Sequence, residues 1–441
     1  MRSNSLLGLT ELTVEQAMSH IIDYRGKTPK KTSCGIPLVT AKIVKNGRLE
    51  KYNEFIAEKD YASWMVRGIP KKGDIVLTVE APLGEVAQLD ETKIALAQRI
   101  VTLRGKENIL DNTYLLYILQ SAPMQSQLQS RASGTTVIGI KQSELRKIVL
   151  QLPPVSIQKK IAHILSTLDD KIELNRKMNQ TLEEMAQALF RSWFVDFDPV
   201  HAKAGCSSDE ELERAAKELG ISKEVLELFP SEFDESELGM IPEGWTVDAL
   251  KDFGTVITGK TPSTQKAENF GSEYPFITIP DMHGKAYITR TDRYLSSEGN
   301  LAQPNKLIPK NSLIVSCIAT VGLVSINSED SHTNQQINSI LCEEVFLYYL
   351  YCMLSSMTDT LVMYGGAGTA TLNVNKTTFE NIKITKPSIG TLEAFMRLIK
   401  PSFKQILANT QQIQTLQQTR DILLPKLLSG ELDVSELELD V

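Results

Sequence analysis

The chain has 441 residues, 42% apolar and 23% charged, enough for two or three domains with ordinary hydrophobic cores. A formal net charge of −7 excludes a uniformly basic nucleic-acid binder. Five cysteines, an odd number without CxxC spacing, argue against a disulfide or zinc framework. No apolar run approaches the roughly 20 residues of a membrane span, and residues 1–10 lack the apolar core of a signal peptide, so a reduced cytoplasmic protein without a membrane partner is expected.

Residues 1–150 hold 21 Lys and Arg against 15 Asp and Glu, so the positive charge missing in bulk is concentrated here. The apolar run Ile75-Val76-Leu77-Thr78-Val79 predicts a strand, and Asn112–Gln120 predicts a helix; together they indicate a mixed α+β domain of about 150 residues. Two turns stand out. Gly26-Lys27-Thr28-Pro29 and the small, hydroxyl-rich Gly134-Thr135-Thr136, with Lys141 nearby, are shapes that let backbone approach a phosphate. Ordinary hairpin chemistry is the alternative.

After Pro153-Pro154, with Ser156 as a candidate N-cap, the period changes to heptads. One stripe runs Ile161, Leu168, Asn175, Leu182, Leu189; the other runs Leu165, Ile172, Asn179, Ala186, Trp193. A stripe sustained that long is the pattern of a coiled-coil seam. An amphipathic helix lying on its own domain is the alternative, but roughly 35–40 residues at about 1.5 Å each exceed one domain surface.

Residues 196–240 carry 13 acids and 4 bases. Ser207-Ser208 before Asp209-Glu210-Glu211 resembles a capping box opening a helix to about Leu219, and a second helix is expected over about Ser222–Leu228. The segment reads as a solvated linker or as an acidic docking surface.

From residue 241 the chain repeats itself. At a constant separation of 234, residues 134–193 and 368–427 share ten identities without a gap, among them Gly134-Thr135 with Gly368-Thr369, Asn175 with Asn409, and Gln180-Thr181-Leu182 with Gln414-Thr415-Leu416. Upstream the offset drifts: Gly259-Lys260-Thr261-Pro262 repeats the first turn, and Pro275-Phe276-Ile277-Thr278 repeats Pro37-Leu38-Val39-Thr40. So long a period means duplicated domains. Strands are expected at Pro275–Ile279 and Leu313–Val315 and a helix at Glu344–Leu354, although this copy is mildly acidic, with 11 bases and 14 acids. The second heptad set is Phe395, Ser402, Asn409, Leu416, Leu423 with Ile399, Ile406, Ile413, Arg420, Leu427. Pro401 is expected to kink or start this helix and Pro425 to end its regular part. Asn175 and Asn409 interrupt matching seam positions, where polar residues fix register, although surface asparagines would give the same pattern. If the helices pair, the connectivity makes them antiparallel, with a domain at each end. The expected architecture is α+β: two globular domains separated by a long antiparallel two-helix coiled coil, a pseudo-twofold internal repeat that works as a calliper.

Catalytic signatures are weak. Gly254-Thr255-Val256-Ile257-Thr258-Gly259-Lys260-Thr261 fits GxxxxGK[ST], but the preceding residues make a poor strand and Pro262 follows. Asp74 or Asp90 with Glu91-Thr92-Lys93 only evokes a nuclease cluster, and the five histidines lack metal-ligand spacing.

Several stretches resemble the specificity subunit of type I restriction-modification enzymes, over the whole length. They include Leu152-Pro153-Pro154 through Ala162, Leu165-Ser166-Thr167-Leu168-Asp169-Asp170-Lys171-Ile172-Glu173-Leu174-Asn175, and Phe190-Arg191-Ser192-Trp193-Phe194 through Pro199. Ile241-Pro242-Glu243-Gly244-Trp245 and Leu424-Pro425-Lys426-Leu427-Leu428-Ser429-Gly430-Glu431 are equally typical. The resemblance implies a non-catalytic subunit without cofactor or metal. Its partners would be double-stranded DNA, two modification (methyltransferase) subunits and a restriction subunit that carries the motor. It implies recognition domains at 1–152 and 241–387, conserved helices at 153–197 and 388–430, an acidic linker at 198–240 and an acidic tail at 431–441. Each recognition domain would read half of a bipartite site. DNA contacts are then expected from Lys27, Thr28, Lys30, Lys31, Lys42, Lys45, Arg48, Thr135 and Lys141 in the first copy. In the second they are expected from Lys260, Thr261, Ser263, Thr264, Arg290, Thr369 and Lys376. The expected seam is Ile161, Leu165, Leu168, Ile172, Asn175, Leu182 and Leu189 against Ile399, Ile406, Asn409, Ile413, Leu416 and Leu423.

Overall fold

A computed structural model describes residues 8–26, 28–91, 93–135, 137–366 and 371–438. The chain divides into two compact units: residues 1–172 with 415–441, and residues 173–414.

In unit one, Ile75–Val79 alternates in the manner of a strand. Ile75, Leu77 and Val79 enter the core beneath helix Asn112–Gln120, while Val76 enters a second core with Ile22, Leu38 and Ile100. Burial on both faces explains why apolar residues fill both faces of the strand, with Thr78 the one polar residue. This strand sits in an antiparallel sheet ordered Met18–Asp23, Ile100–Gly105, Ile75–Val79, Leu83–Gln88. A smaller sheet contains the parallel pair Ile36–Val39 and Ala95–Leu96. Thr10–Thr13 pairs antiparallel with Val149–Leu152, which leads into the long helix Val155–Phe194.

Unit two repeats this plan. Gly254–Thr258, Ile337–Cys342, Leu313–Ser316 and Val324–Asn327 follow the same antiparallel order, and Tyr287–Ile288 adds a parallel edge. Phe270–Ile277 pairs in parallel with His332–Thr333, as Ile36–Val39 does with Ala95–Leu96. Helix Glu344–Ser356 is buried along most of its length, and Thr246–Ala249 pairs with Lys383–Lys386 ahead of the second long helix, Ile389–Ser429. Among the described residues no single helix is long and apolar enough to cross a membrane.

The two long helices touch within each unit. In unit two, Asn175 donates to Gln412 (2.7 Å), and Asn179 accepts from Asn409 (2.9 Å) and donates to Thr410 (3.2 Å), so one helix rises in number as the other falls. In unit one, Arg420 holds Asp169 at 2.7 Å. Buried tyrosines 234 positions apart bind the globular parts to these helices: Tyr117 donates to Asp169 (2.7 Å) in unit one, and Tyr351 to Glu183 (2.6 Å) in unit two. The seam positions serve two partners. Ile161 and Leu165 are buried in the globular core of unit one, and Ile399 and Ile406 in that of unit two. Ile172, Asn175 and Asn409 are also buried, whereas Leu168, Leu182, Leu189, Ile413, Leu416 and Leu423 are half-buried.

Three expectations are corrected. Pro401 does not start the second helix, and Pro425 does not end it; both lie inside Ile389–Ser429. Pro401 is exposed, while Ile399, Phe403 and Ile406 around it are buried in the core. Burial at roughly 1.5–3 kcal/mol per large apolar side chain outweighs the approximately 3 kcal/mol an interior proline costs. The 198–240 segment is not simply a solvated linker. Helices Asp198–Ala204, Asp209–Glu218 and Lys223–Glu227 and the hairpin Phe233–Ser236/Gly239–Pro242 keep their acids largely outside, while Val200 and Phe229 join the core, Phe229 edge-on to Trp193 at 5.1 Å.

Candidate nucleic-acid interface

In unit one the strand Met18–Asp23 delivers the chain into Tyr24 and Arg25. The Tyr24 hydroxyl donates to the Gly68 carbonyl and accepts from the Arg67 amide, both at 2.9 Å, which pins the start of the turn. Arg25 Nη2 then donates to the Ile140 carbonyl at 2.8 Å, drawing the Gly26 turn against the segment after Gly134. That segment is closed by reciprocal hydrogen bonds between Ser133 and Gly139 (2.9 and 3.1 Å). Glycine is required at 134: its φ is +126°, and a Cβ would sit 2.1 Å from the Val137 carbonyl oxygen. The Ile140 amide donates to the Val79 carbonyl (2.9 Å), and the Val79 amide to the Arg99 carbonyl (3.0 Å). Arg25, ahead of the first turn, and Ile140, beyond the second, therefore meet at the end of the strand Ile75–Val79, where Arg99 also joins.

Unit two assembles the corresponding pieces. Gly259 donates to the Ile337 carbonyl (3.0 Å) and Lys260 to the Thr333 carbonyl (2.9 Å), and a Cβ on Gly259 would lie 2.2 Å from the Asn334 carbonyl oxygen. Thr261 donates its hydroxyl to Gln335 Oε1 at 2.8 Å, while Gln303 donates to the Lys260 carbonyl at 3.0 Å. Behind Gln303, His332 lies buried between Gln303 (3.3 Å) and Asn300 (2.9 Å), and burial pushes its imidazole down to about 4. The Val374 amide donates to the Cys317 carbonyl and the Cys317 amide to the Gln336 carbonyl, both at 2.8 Å.

The expected contact residues divide by environment. Thr28, Lys30, Thr135, Lys141, Lys260, Ser263, Thr264 and Arg290 are exposed, Thr261 and Arg48 are half-buried, and Lys27 and Thr369 lie outside the described residues. Four of the lysines face carboxylates: Lys31 at 2.7 Å and Lys42 at 3.9 Å from Glu54, Lys45 at 3.0 Å from Glu50, and Lys376 at 3.2 Å from Glu380. Exposed pairs of this kind are weak, so a phosphate competes for those ammoniums with only modest handicap. Sequence reasoning missed Glu80, Gln98, Arg99, Gln335 and Gln336. The signal for Gln98-Arg99 and Gln335-Gln336 is the run Asn334-Gln335-Gln336 against Ala97-Gln98-Arg99, separated by 237 and so hidden by the drifting offset, while Glu80, opposite Ile318, has none.

The alternative chemistries lose their geometry. Gly254–Thr258 is a strand paired with Ile337–Cys342, not a phosphate-cradling loop opening a helix. Asp74 is buried beneath a bidentate pair with Arg104 (2.7 Å to each oxygen), and Lys93 pairs with Glu58, so neither belongs to an open carboxylate cluster. Among the described residues no group of three or more His, Cys, Asp or Glu is placed to hold a metal. Burial pushes the Cys317 and Cys342 thiols up to about 12, away from reactivity.

The type I restriction modification DNA specificity domain family matches the chain twice, over residues 20–184 and 242–418. A type I restriction enzyme HindI specificity subunit of Haemophilus influenzae is 39% identical over 400 residues, covering 82% of this chain and 87% of that protein. The MjaIX specificity subunit of Methanocaldococcus jannaschii is 28% identical over 411 residues, covering 91% and 88%. The crystal structure of a type I restriction-modification S subunit from M. genitalium superposes with a TM-score of 0.57 at 13% identity, covering 97% of this chain and 98% of that one, and so shares the fold. With a duplicated sheet, a duplicated loop cluster and a family match over both copies, the chain belongs to the type I restriction-modification DNA specificity subunits.

Proposed function

We propose that each globular part, 1–152 and 241–387, reads one half of a bipartite DNA sequence. The helices 153–197 and 388–430 would form an antiparallel coiled coil that sets the unread spacer and docks two modification subunits, with a restriction subunit joining them. The segments 198–240 and 431–441 complete the connections. In this reading the chain performs no chemistry itself. It selects the DNA on which its partners act.

One observation carries the reading: the same strand-end junction is built twice, the amides of Ile140 and Val79 donating to the Val79 and Arg99 carbonyls in unit one as those of Val374 and Cys317 donate to the Cys317 and Gln336 carbonyls in unit two. Duplicated rigid frames with variable side chains suit the reading of two different short sequences, because base edges in the major groove carry a distinct donor and acceptor pattern for each pair. The exposed cations Lys30, Lys141, Lys260 and Arg290 support the same reading as phosphate anchors, which fix register without carrying sequence information. Methylome sequencing of cells with and without this gene tests it. A bipartite methylated motif is expected to vanish with the gene, and an unchanged methylome rejects the assignment.

A further inference from the structure

The two units hold different side chains on one backbone frame. The Val79 amide donates to the Arg99 carbonyl, and the Cys317 amide donates to the Gln336 carbonyl. The next residues, Glu80 and Ile318, bridge to Gly139 and Asn373, which are 234 positions apart. Ala81 and Ala319 follow, both with positive φ (47° and 66°). Arg99 therefore stands in unit one where Gln336 stands in unit two, Glu80 where Ile318 stands, and Gln98 where Gln335 stands.

The chemistry at those points differs. Unit one presents Arg99 and Glu80 as a half-exposed pair, Nε to Oε1 at 3.1 Å. Unit two presents amides: Gln335 is exposed and accepts from Thr261, while half-buried Gln336 accepts from Asn334 Nδ2 at 3.0 Å. In the major groove guanine offers two acceptors, O6 and N7, and its cytosine offers the N4 donor; adenine offers one acceptor, N7, beside one donor, N6. A guanidinium only donates and a carboxylate only accepts, so the pair matches the two sides of G·C. A carboxamide both donates and accepts, which matches adenine. Glu80 sharpens the choice, because a carboxylate brought to polyanionic DNA is repelled unless it meets a base amine.

We propose that Arg99 and Glu80 read a G·C pair in one half of the site, and that Gln335, supported by Gln336 at the point where Arg99 stands in the other unit, reads an A·T pair in the other half. This rests on the bipartite reading above and assigns its bases.

The test uses the full chain co-expressed with its modification subunits, with the host methylome as readout and size-exclusion chromatography to follow assembly. Wild type should give a bipartite motif with a G·C pair in one half and an A·T pair in the other. Arg99→Gln and Glu80→Gln are each expected to reduce discrimination at one G·C pair of one half by about 10- to 100-fold, the range of a bidentate side chain–base contact, leaving the other half intact. Gln335→Ala should relax one A·T pair in the opposite half only. Should Arg99→Gln fail to assemble, Arg99→Lys keeps the charge beside Glu80 but loses the guanidinium fork, and must show the same relaxation. Assembled variants that methylate the wild-type motif unchanged, or that lose both halves together, overturn the proposal. A wild-type complex with no bipartite motif overturns the underlying reading instead.

Discussion

Lys30 and Lys31 are sequence neighbours with different electrostatic duties. Lys31 sits in strand Lys31–Thr32, 2.7 Å from Glu54, while Lys30 is exposed and forms no ion pair among the described residues. Each phosphate neutralised contributes about 0.9 to the slope of log affinity against log salt. Lys30→Ala is therefore expected to flatten that slope by close to this amount for the assembled complex, with equal loss on all sequences, and Lys31→Ala by distinctly less. Equal slopes for the two variants contradict the assignment. His332 carries a pH prediction of its own. Its folded value, about 4, lies below the usual 6.5, so between those values the unfolded chain binds the extra proton. The stability it permits is whole above about pH 6.5 and is lost as pH falls towards 4, by up to roughly 3 kcal/mol. Denaturant titrations of wild type and His332→Asn should show that fall in the wild type and a flatter profile in the variant; parallel profiles refute it. Because Gln303 joins His332 to the Lys260 carbonyl, the same protonation should loosen the second-copy turn.

Secondary structure was most legible where one physical effect dominated. Asn112–Gln120 and Ile75–Val79 occur as expected because apolar pattern and core burial agree there. The two glycine turns were legible because backbone crowding leaves little choice of residue at Gly134 and Gly259. Tertiary burial, invisible locally, carried the second helix through Pro401 and drew Val200 and Phe229 into the core. Gln98, Arg99, Gln335 and Gln336 were illegible for another reason: their three-residue links, 97–99 and 334–336, are equal, but unequal loops elsewhere shift the separation to 237, and only Gln98 and Gln335 are identical within the links. The asparagines of the long helices, Asn175 and Asn409 buried and Asn179 half-buried, are joined into a ladder, with Asn175 to Gln412, Asn179 to Asn409 and Gln405 to Asn409. Asn409→Leu leaves Asn179 Oδ1 without its donor, and is expected to cost about 1–3 kcal/mol in chemical unfolding. Adding Asn179→Leu should recover much of that stability while weakening register specificity, visible as altered disulfide trapping between engineered cysteine pairs on the two helices. A double variant as destabilised as the sum of both singles excludes the ladder as a register device.

At the scale of the whole molecule, the proposed spacer length depends on the two long helices acting as a ruler. The contacts that hold each helix lie within one unit: Asp169 with Arg420 and Tyr117 in unit one, Asn175 with Gln412 and Glu183 with Tyr351 in unit two. A seven-residue insertion after Ile172, matched by one after Gln414, leaves all of these pairs within their own unit and keeps the heptad phase. One insertion alone shifts one helix against the other so that the Asp169–Arg420 pair and the asparagine ladder cannot both hold, and it tests stability, not the ruler. The matched pair lengthens the helices by about 10 Å at ~1.5 Å per residue, or about three base pairs at ~3.4 Å each. Three base pairs also turn the duplex by nearly a third of its 10–10.5 base-pair repeat, which the inserted helices do not follow. The expected methylome therefore keeps both half-site sequences and lengthens the unread spacer by up to about three base pairs, at reduced occupancy. Retained methylation at the original spacing would show that the helices do not set the distance.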